Sequence, residues 1–196
     1  MRTVTYGAAC SLDGFIAGPD GAIDWLQFTP DVQRLMGDYW KTVDAVVMGR
    51  KTWEVAAAGQ PADAPATPGV TTYVCSRTLP DLDRPGVELV RGDAAAFVRD
   101  LRLRPGRGIC LMGGGELATS LLAAGVVDEV GMNVHPVVLG RGIPFLRDPG
   151  RRVDLELASC ERIAGGCLYV IYRVTAGVAT AGVTTAGVDT AGVVTP

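Results

Sequence analysis

The chain has a single histidine, and its five cysteines (Cys10, Cys75, Cys110, Cys160 and Cys167) show no CxxC spacing. A zinc site built from thiolates and imidazoles needs more than this, so no metal centre is expected. The thiols lie mostly in or beside apolar runs, which predicts buried, reduced cysteines. No apolar run reaches the roughly 18 residues that a membrane span requires. The N-terminal MRTVTYGAACSLDG has neither an apolar core nor a small-residue cleavage pattern, so a secretory leader is not expected and the cytoplasm is the expected location. Basic residues are outnumbered 18 to 21, for a net charge of −3. That balance argues against nucleic acid as a partner, because phosphate backbones select basic surfaces. Neither the dinucleotide fingerprint GxGxxG nor the phosphate-loop pattern GxxxxGK[ST] occurs.

Two local blocks nevertheless point to an anionic ligand. In the first, the short apolar run Ala45 to Met48 ends at Gly49, and Arg50, Lys51 and Thr52 follow at once. Such a run bounded by glycine reads as a buried strand. The residues after it suit the first turn of a helix, where free N–H groups and the helix dipole favour an anion. In the second, Ile109 to Met112 leads into Gly113, Gly114, Gly115, Glu116 and Leu117. Three glycines allow unusual dihedrals and let backbone approach a ligand closely. Two such seats in one acidic chain predict a nucleotide-type ligand.

The 196 residues, 48% of them hydrophobic, suit one domain with a proper core. Residues 3–10 alternate as a first strand, and 11–25 read as an irregular loop. Thr29, Pro30 and Asp31 form a helix start: hydroxyl cap, proline at the first position, acid in the first turn. Helices are expected to about Lys41 and over 51–58, 93–103 and 117–124, alternating with strands at 45–48, 70–75, 87–90, 109–112 and 126–134. Residues 153–160 and 167–175 read as a hairpin around Gly165. Alternating strands and helices, then strands alone, imply an α/β fold: a mostly parallel sheet with an antiparallel edge. The domain is expected over 1–175. Residues 176–196 continue a TAGVx repeat that has nothing large to pack, and read as a flexible tail.

The blocks SLDGFIA (11–17), GRKTW (49–53), SRT (76–78), MGGGELA (112–118) and HPVVLG (135–140) occur in this order. Together they resemble the dihydrofolate reductase-like superfamily, and within it the bacterial branch related to the reductase domain of the riboflavin-biosynthesis deaminase-reductase. The resemblance spans roughly 2–175. It implies a three-layer fold with a C-terminal antiparallel hairpin and helices on both sheet faces, and a homodimer that uses NADPH. Ala8, Ala9 and Ile16 would then line the nicotinamide. Gly49, Arg50, Lys51 and Thr52 would hold the pyrophosphate. Ser76 and Arg77 would meet the 2′-phosphate, and Gly113 to Leu117 would pass beneath the pyrophosphate and ribose.

The implied reaction is hydride transfer to a small pyrimidine-, pterin- or carbonyl/imine-type substrate, related to the uracil reductase step of riboflavin synthesis. Rival readings are a true dihydrofolate reductase and an NADPH-binding protein without catalysis. An acid or a bound water has to orient substrate or supply the proton. Asp13, Asp24 and Asp31 are the candidates; Asp13 could instead cap its loop, and Asp31 could serve only the helix dipole. Trp25 could stack on a planar heterocycle. Alternation along 126–134 sets Gly131, Asn133 and His135 on one face. If that face looks into the cleft, Asn133 and His135 touch substrate; otherwise His135 is structural.

Overall fold

The computed structural model describes residues 1–58, 65 and 67–175; the TAGVx segment 176–196 lies outside them. Ten strands and four α-helices follow in chain order. They are β1 (Val4–Ser11), β2 (Phe15–Ala17), α1 (Pro30–Thr42), β3 (Val43–Gly49), α2 (Arg50–Ala57), β4 (Thr71–Cys75) and β5 (Val87–Val90). Then come α3 (Ala94–Leu103), β6 (Gly108–Met112), α4 (Gly115–Ala123), β7 (Glu129–His135), β8 (Ile143–Pro144), β9 (Leu155–Arg162) and β10 (Leu168–Val174).

Eight strands form one sheet in the order β5-β4-β3-β6-β1-β7-β10-β9. The pairings from β5 through β7 are parallel, whereas β10 runs antiparallel to both β7 and β9. The central strands are covered on both faces, which is why they read as continuous apolar runs: Ala45 to Met48 of β3 are all buried. On one face, Val4, Tyr6, Ile109 and Leu111 pack with Val98 and Leu101 of α3 and Leu121 of α4. On the other, Val46, Met48, Val74 and Cys110 pack with Trp53 of α2 and with Tyr39 and Trp40 of α1. The result is helix, sheet, helix in three layers, as the resemblance implied.

Local chemistry sets the element ends. The Thr29 hydroxyl accepts from the Val32 N–H at 3.3 Å, with Pro30 and Asp31 in the first turn of α1. The Asp93 carboxylate accepts from the N–H groups of Ala95 and Ala96 at the start of α3. Three expectations need adjustment. β7 begins at Glu129 rather than 126: Gly125 at φ +67° closes α4, and Val126 donates its N–H back to Leu121, so these valines are core without being strand. The loop after β1 contains β2, which pairs with β8 in a separate small sheet. Gly115 is the first residue of α4, so the helix starts two residues earlier than expected. None of the helices among the described residues is long and apolar enough to cross a membrane.

Candidate functional site

A cleft of about 1420 Å³ crosses the carboxyl ends of β4, β3 and β6 and continues over the face of β1, β7 and β10 beneath α1. Open parallel sheets place ligands at this end of their strands. Two helix N-termini meet in its first half. Gly49 caps α2 and Gly114 caps α4, and neither helix has a side-chain cap, so their leading N–H groups are not engaged by a capping side chain. Gly113 and Gly114 take φ of +56° and +67°, a region that glycine enters without strain. A Cβ on Gly113 would lie 2.9 Å from Cγ2 of Thr52, and one on Gly114 would lie 3.2 Å from its Oγ1. The first turn of α2 therefore rests directly against the glycine turn. The two seats inferred separately from sequence are one.

Arg50, Lys51, Ser76 and Arg77 rim this half; Arg91 after β5 also lines it, but its guanidinium is engaged by Asp81 at 2.8 Å and by the Leu79 carbonyl at 3.0 Å. Arg50 stands 3.8 Å from Glu54 with its side chain about half exposed, a pairing too loose and solvated to commit the guanidinium. Ala8, Ala9 and Ile16 line the middle of the cleft, and Gly115, Glu116 and Leu117 lie along the start of α4. All fourteen residues expected to hold the cofactor thus line one continuous cleft.

The second half is more apolar. Gly7, Cys110, Met112, Gly131 and Tyr169 rise from the sheet, with Leu35, Met36, Tyr39 and Trp40 of α1 opposite. Asn133 and His135 also line it, so the polar face of β7 looks into the cleft. His135 is 1% exposed; its Nε2 lies 3.2 Å from Nδ2 of Asn133 and its Nδ1 3.5 Å from Sγ of Cys167. If Nε2 accepts from the amide, the ring proton is on Nδ1, facing the sulfur. Trp25 meets the imidazole edge-to-face at 5.3 Å. The Asn133 Oδ1 and Trp25 Nε1 atoms beside it are buried, with no hydrogen-bond partner among the described residues.

Burial holds the His135 pKa below its ordinary 6.5, keeping the ring neutral. A group whose charged form is disfavoured by folding contributes stability above its unfolded pKa and loses it as pH falls. Because His135 is the chain's one histidine, the pH dependence of the unfolding midpoint just below 6.5 isolates it. We expect the midpoint to fall from pH 7 to 5.5, and His135→Gln to flatten that part of the curve. A midpoint that rises on acidification, or an unchanged slope in the variant, contradicts a neutral buried ring.

The three candidate acids lie outside the cleft lining. Asp13 accepts from the Ser11 hydroxyl at 2.6 Å and from the N–H groups of Leu139 and Gly140 at 3.1 and 2.7 Å, stitching the SLDG loop to the VLG turn. Those bonds, the Ser11 hydroxyl foremost, hold its carboxyl below the usual range. Asp31 accepts from the N–H of Ala164 at 3.0 Å, tying α1 to the β9–β10 turn. Asp24 is exposed. Sequence reasoning missed Arg91, which follows β5 as Arg50 follows β3; the end of each parallel strand was the available signal. It also missed Tyr39 and Tyr169, whose place depends on how α1 and β10 pack.

Comparison with known proteins follows the same lines. Residues 2–169 match the RibD C-terminal domain family. The uncharacterized protein YyaP of Bacillus subtilis is 30% identical over 181 residues, covering 88% of this chain and 95% of its own. A putative riboflavin biosynthesis protein from Shewanella sp. PV-4 superposes with a TM-score of 0.77 at 22% identity, covering 89% of this chain and 99% of its own. Dihydrofolate reductase from Enterococcus faecalis, complexed with NADP(H), superposes with a TM-score of 0.62 at 20% identity, over 88% and 96% of the two chains. At these identities the structural likenesses show the dihydrofolate reductase-like fold.

Proposed function

The chain belongs to the RibD C-terminal domain family, and on that footing we propose that it is an NADPH-dependent reductase of a small, flat heterocycle of the pyrimidine or pterin kind. The observation that carries the reading is the convergence of two uncapped helix N-termini on one glycine turn, with Arg50 and Arg77 on the rim of the same cleft. Backbone N–H groups and helix dipoles there favour a pyrophosphate. The glycine turn leaves the room that a bound dinucleotide backbone needs. Ser76 and Arg77, at the end of β4, offer a hydroxyl and a guanidinium to a 2′-phosphate. Ala8, Ala9 and Ile16 give the nicotinamide an apolar wall.

When bound, NADPH supplies the hydride; the chain supplies alignment and exclusion of water. Substrate enters the second half, between α1 and the sheet, where Asn133, braced by the buried His135 ring, orients it. Among the described residues, the carboxylates that line the cleft, Asp93 and Glu116, both stand at helix starts in the first half. Asp13 and Asp31 are held elsewhere and Asp24 is exposed outside the cleft lining, so the proposal takes the proton from solvent rather than from a carboxylate. A second copy of the chain completes the reading as partner, across the edge strand β9, which is exposed along its whole length with Leu155 and Leu157 on it.

The test is NADPH oxidation at 340 nm over a panel of pyrimidines, pterins and dihydrofolate. Turnover on a pyrimidine or pterin, with dihydrofolate at least tenfold poorer, is the expected result. Preferred turnover of dihydrofolate identifies a true dihydrofolate reductase. NADPH binding without turnover on any member favours a binding protein, the reading supported by the lack of a substrate-side acid among the described residues.

A further inference from the structure

Two of the central-sheet glycines that line the cleft have no role in the anion seats. Gly7 of β1 and Gly131 of β7 are register partners on adjacent parallel strands, and both line the second half of the cleft. Neither has a left-handed φ, so no turn or bulge requires a glycine at either place. A Cβ on Gly7 would meet only the Gly131 carbonyl oxygen, at 3.7 Å, and one on Gly131 only that of Tyr6, at 3.9 Å. Those are ordinary contacts. An alanine at either position is sterically free, and strand glycines are disfavoured because they forfeit packing and cost chain entropy. The fold itself therefore gives no reason for the pair.

Their surroundings supply one. Strand register sets Thr5, Gly7 and Ala9 of β1 beside Glu129, Gly131 and Asn133 of β7. Along that row the floor drops to bare backbone at a single step, flanked by Thr5 and Asn133. Tyr39 and Trp40 of α1 line the same cleft. The glycine step and the two aromatic rings thus line one cleft, whose floor at that step is two bare peptide units. Strand glycines of this kind mark places where a ligand comes close to backbone.

We infer that Gly7 and Gly131 are specificity-determining residues: together they form a side-chain-free floor that admits the flat ring of the substrate and sets how deep it lies. The inference rests on the reductase reading, in which the second half of the cleft takes substrate. Restoring a side chain at either glycine raises the cleft floor there and leaves the anion seats on β3, β4 and β6 untouched. Ligand binding and chain stability then move in opposite directions, which a purely structural role for the glycines does not produce.

The experiment uses the full chain and lumazine, a flat bicyclic pteridinedione, as the probe. Equilibrium dialysis measures NADP⁺ first, then lumazine against protein saturated with NADP⁺, for wild type, Gly7→Ala, Gly131→Ala and Gly131→Val. Wild type is expected to bind lumazine. Each alanine variant weakens it about threefold to tenfold, and Gly131→Val at least thirtyfold, with NADP⁺ affinity within twofold throughout. The unfolding midpoint of the alanine variants rises by about 1–3 °C, because each replaces a strand glycine at a compatible φ. Undiminished lumazine binding in all three variants overturns the inference. So does a wild-type complex that holds NADP⁺ and ignores lumazine, and in both cases the reductase reading stands. Failure of wild type to bind NADP⁺ removes that reading and the inference with it. Should the valine variant not fold, the alanine pair decides.

Discussion

Alanine at Gly115 is expected to lower the midpoint of thermal unfolding by about 3–10 °C and to weaken NADPH binding at least tenfold. The added Cβ strikes the Pro144 carbonyl oxygen and comes within 2.8 Å of the Phe145 carbonyl oxygen. These are backbone atoms, and they are pinned. The Tyr6 hydroxyl donates to the Phe145 carbonyl at 2.6 Å, and the Phe145 N–H donates to the Gly14 carbonyl at 2.8 Å. The Arg147 N–H donates at 2.8 Å to Thr119, whose own hydroxyl donates to the Gly115 carbonyl at 2.5 Å. Helix α4 therefore cannot retreat from the 143–147 segment without breaking buried hydrogen bonds. Overpacking of this kind costs about 1–3 kcal/mol, and in a chain of this size each kcal/mol shifts the midpoint by roughly 2–4 °C. The same displacement moves the leading N–H groups of α4 out of the anion seat. Gly37→Ala is the control: Gly37 sits mid-helix on α1 with nothing within 4 Å of its Cβ position. It is expected to stabilise by about 0.5–1 kcal/mol through helix propensity. An unchanged midpoint and affinity for Gly115→Ala would show that α4 is not held as described.

Arg50→Ala is expected to weaken NADPH binding about 10- to 100-fold with little change in stability. The side chain is about half exposed, and its contact with Glu54 is long and solvated. A charge-assisted hydrogen bond to phosphate contributes about 1.5–3 kcal/mol, which sets the range. Arg77→Ala separates the two phosphate groups, since it weakens NADPH and leaves NADH nearly unchanged if the 2′-phosphate lies at the end of β4. Both measurements belong at one fixed, low ionic strength, because salt screens exposed charges. Equal affinity of wild type and Arg50→Ala for NADPH would place the pyrophosphate elsewhere.

The anion seat was legible because its residues are contiguous. Gly49 to Thr52 and Gly113 to Leu117 each carry a strand end, a helix start and the ligand-facing groups within one short segment, so local rules suffice. What sequence could not show was that the two segments touch, with Thr52 against Gly113; that depends on β3 and β6 being sheet neighbours. The acids were harder to read for the same physical reason. A carboxylate early in a helix or loop has the same sequence signature whether it faces a ligand or a distant backbone N–H. Asp13 and Asp31 both find such N–H groups more than a hundred residues away in the chain. The start of β7 was misplaced because Val126 and Val127 are buried by packing rather than by pairing, and burial alone does not distinguish strand from coil. Alternation along β7 did set Asn133 and His135 on one face, and register with β1 shows what that face meets.

If the cleft at the carboxyl ends of β3, β4 and β6 takes NADPH, titration of the purified wild-type chain with NADPH and with NADH, followed by quenching of tryptophan fluorescence, shows saturable binding of NADPH with micromolar or tighter affinity and at least tenfold weaker binding of NADH. Binding of neither dinucleotide, or equal affinity for both, contradicts that reading.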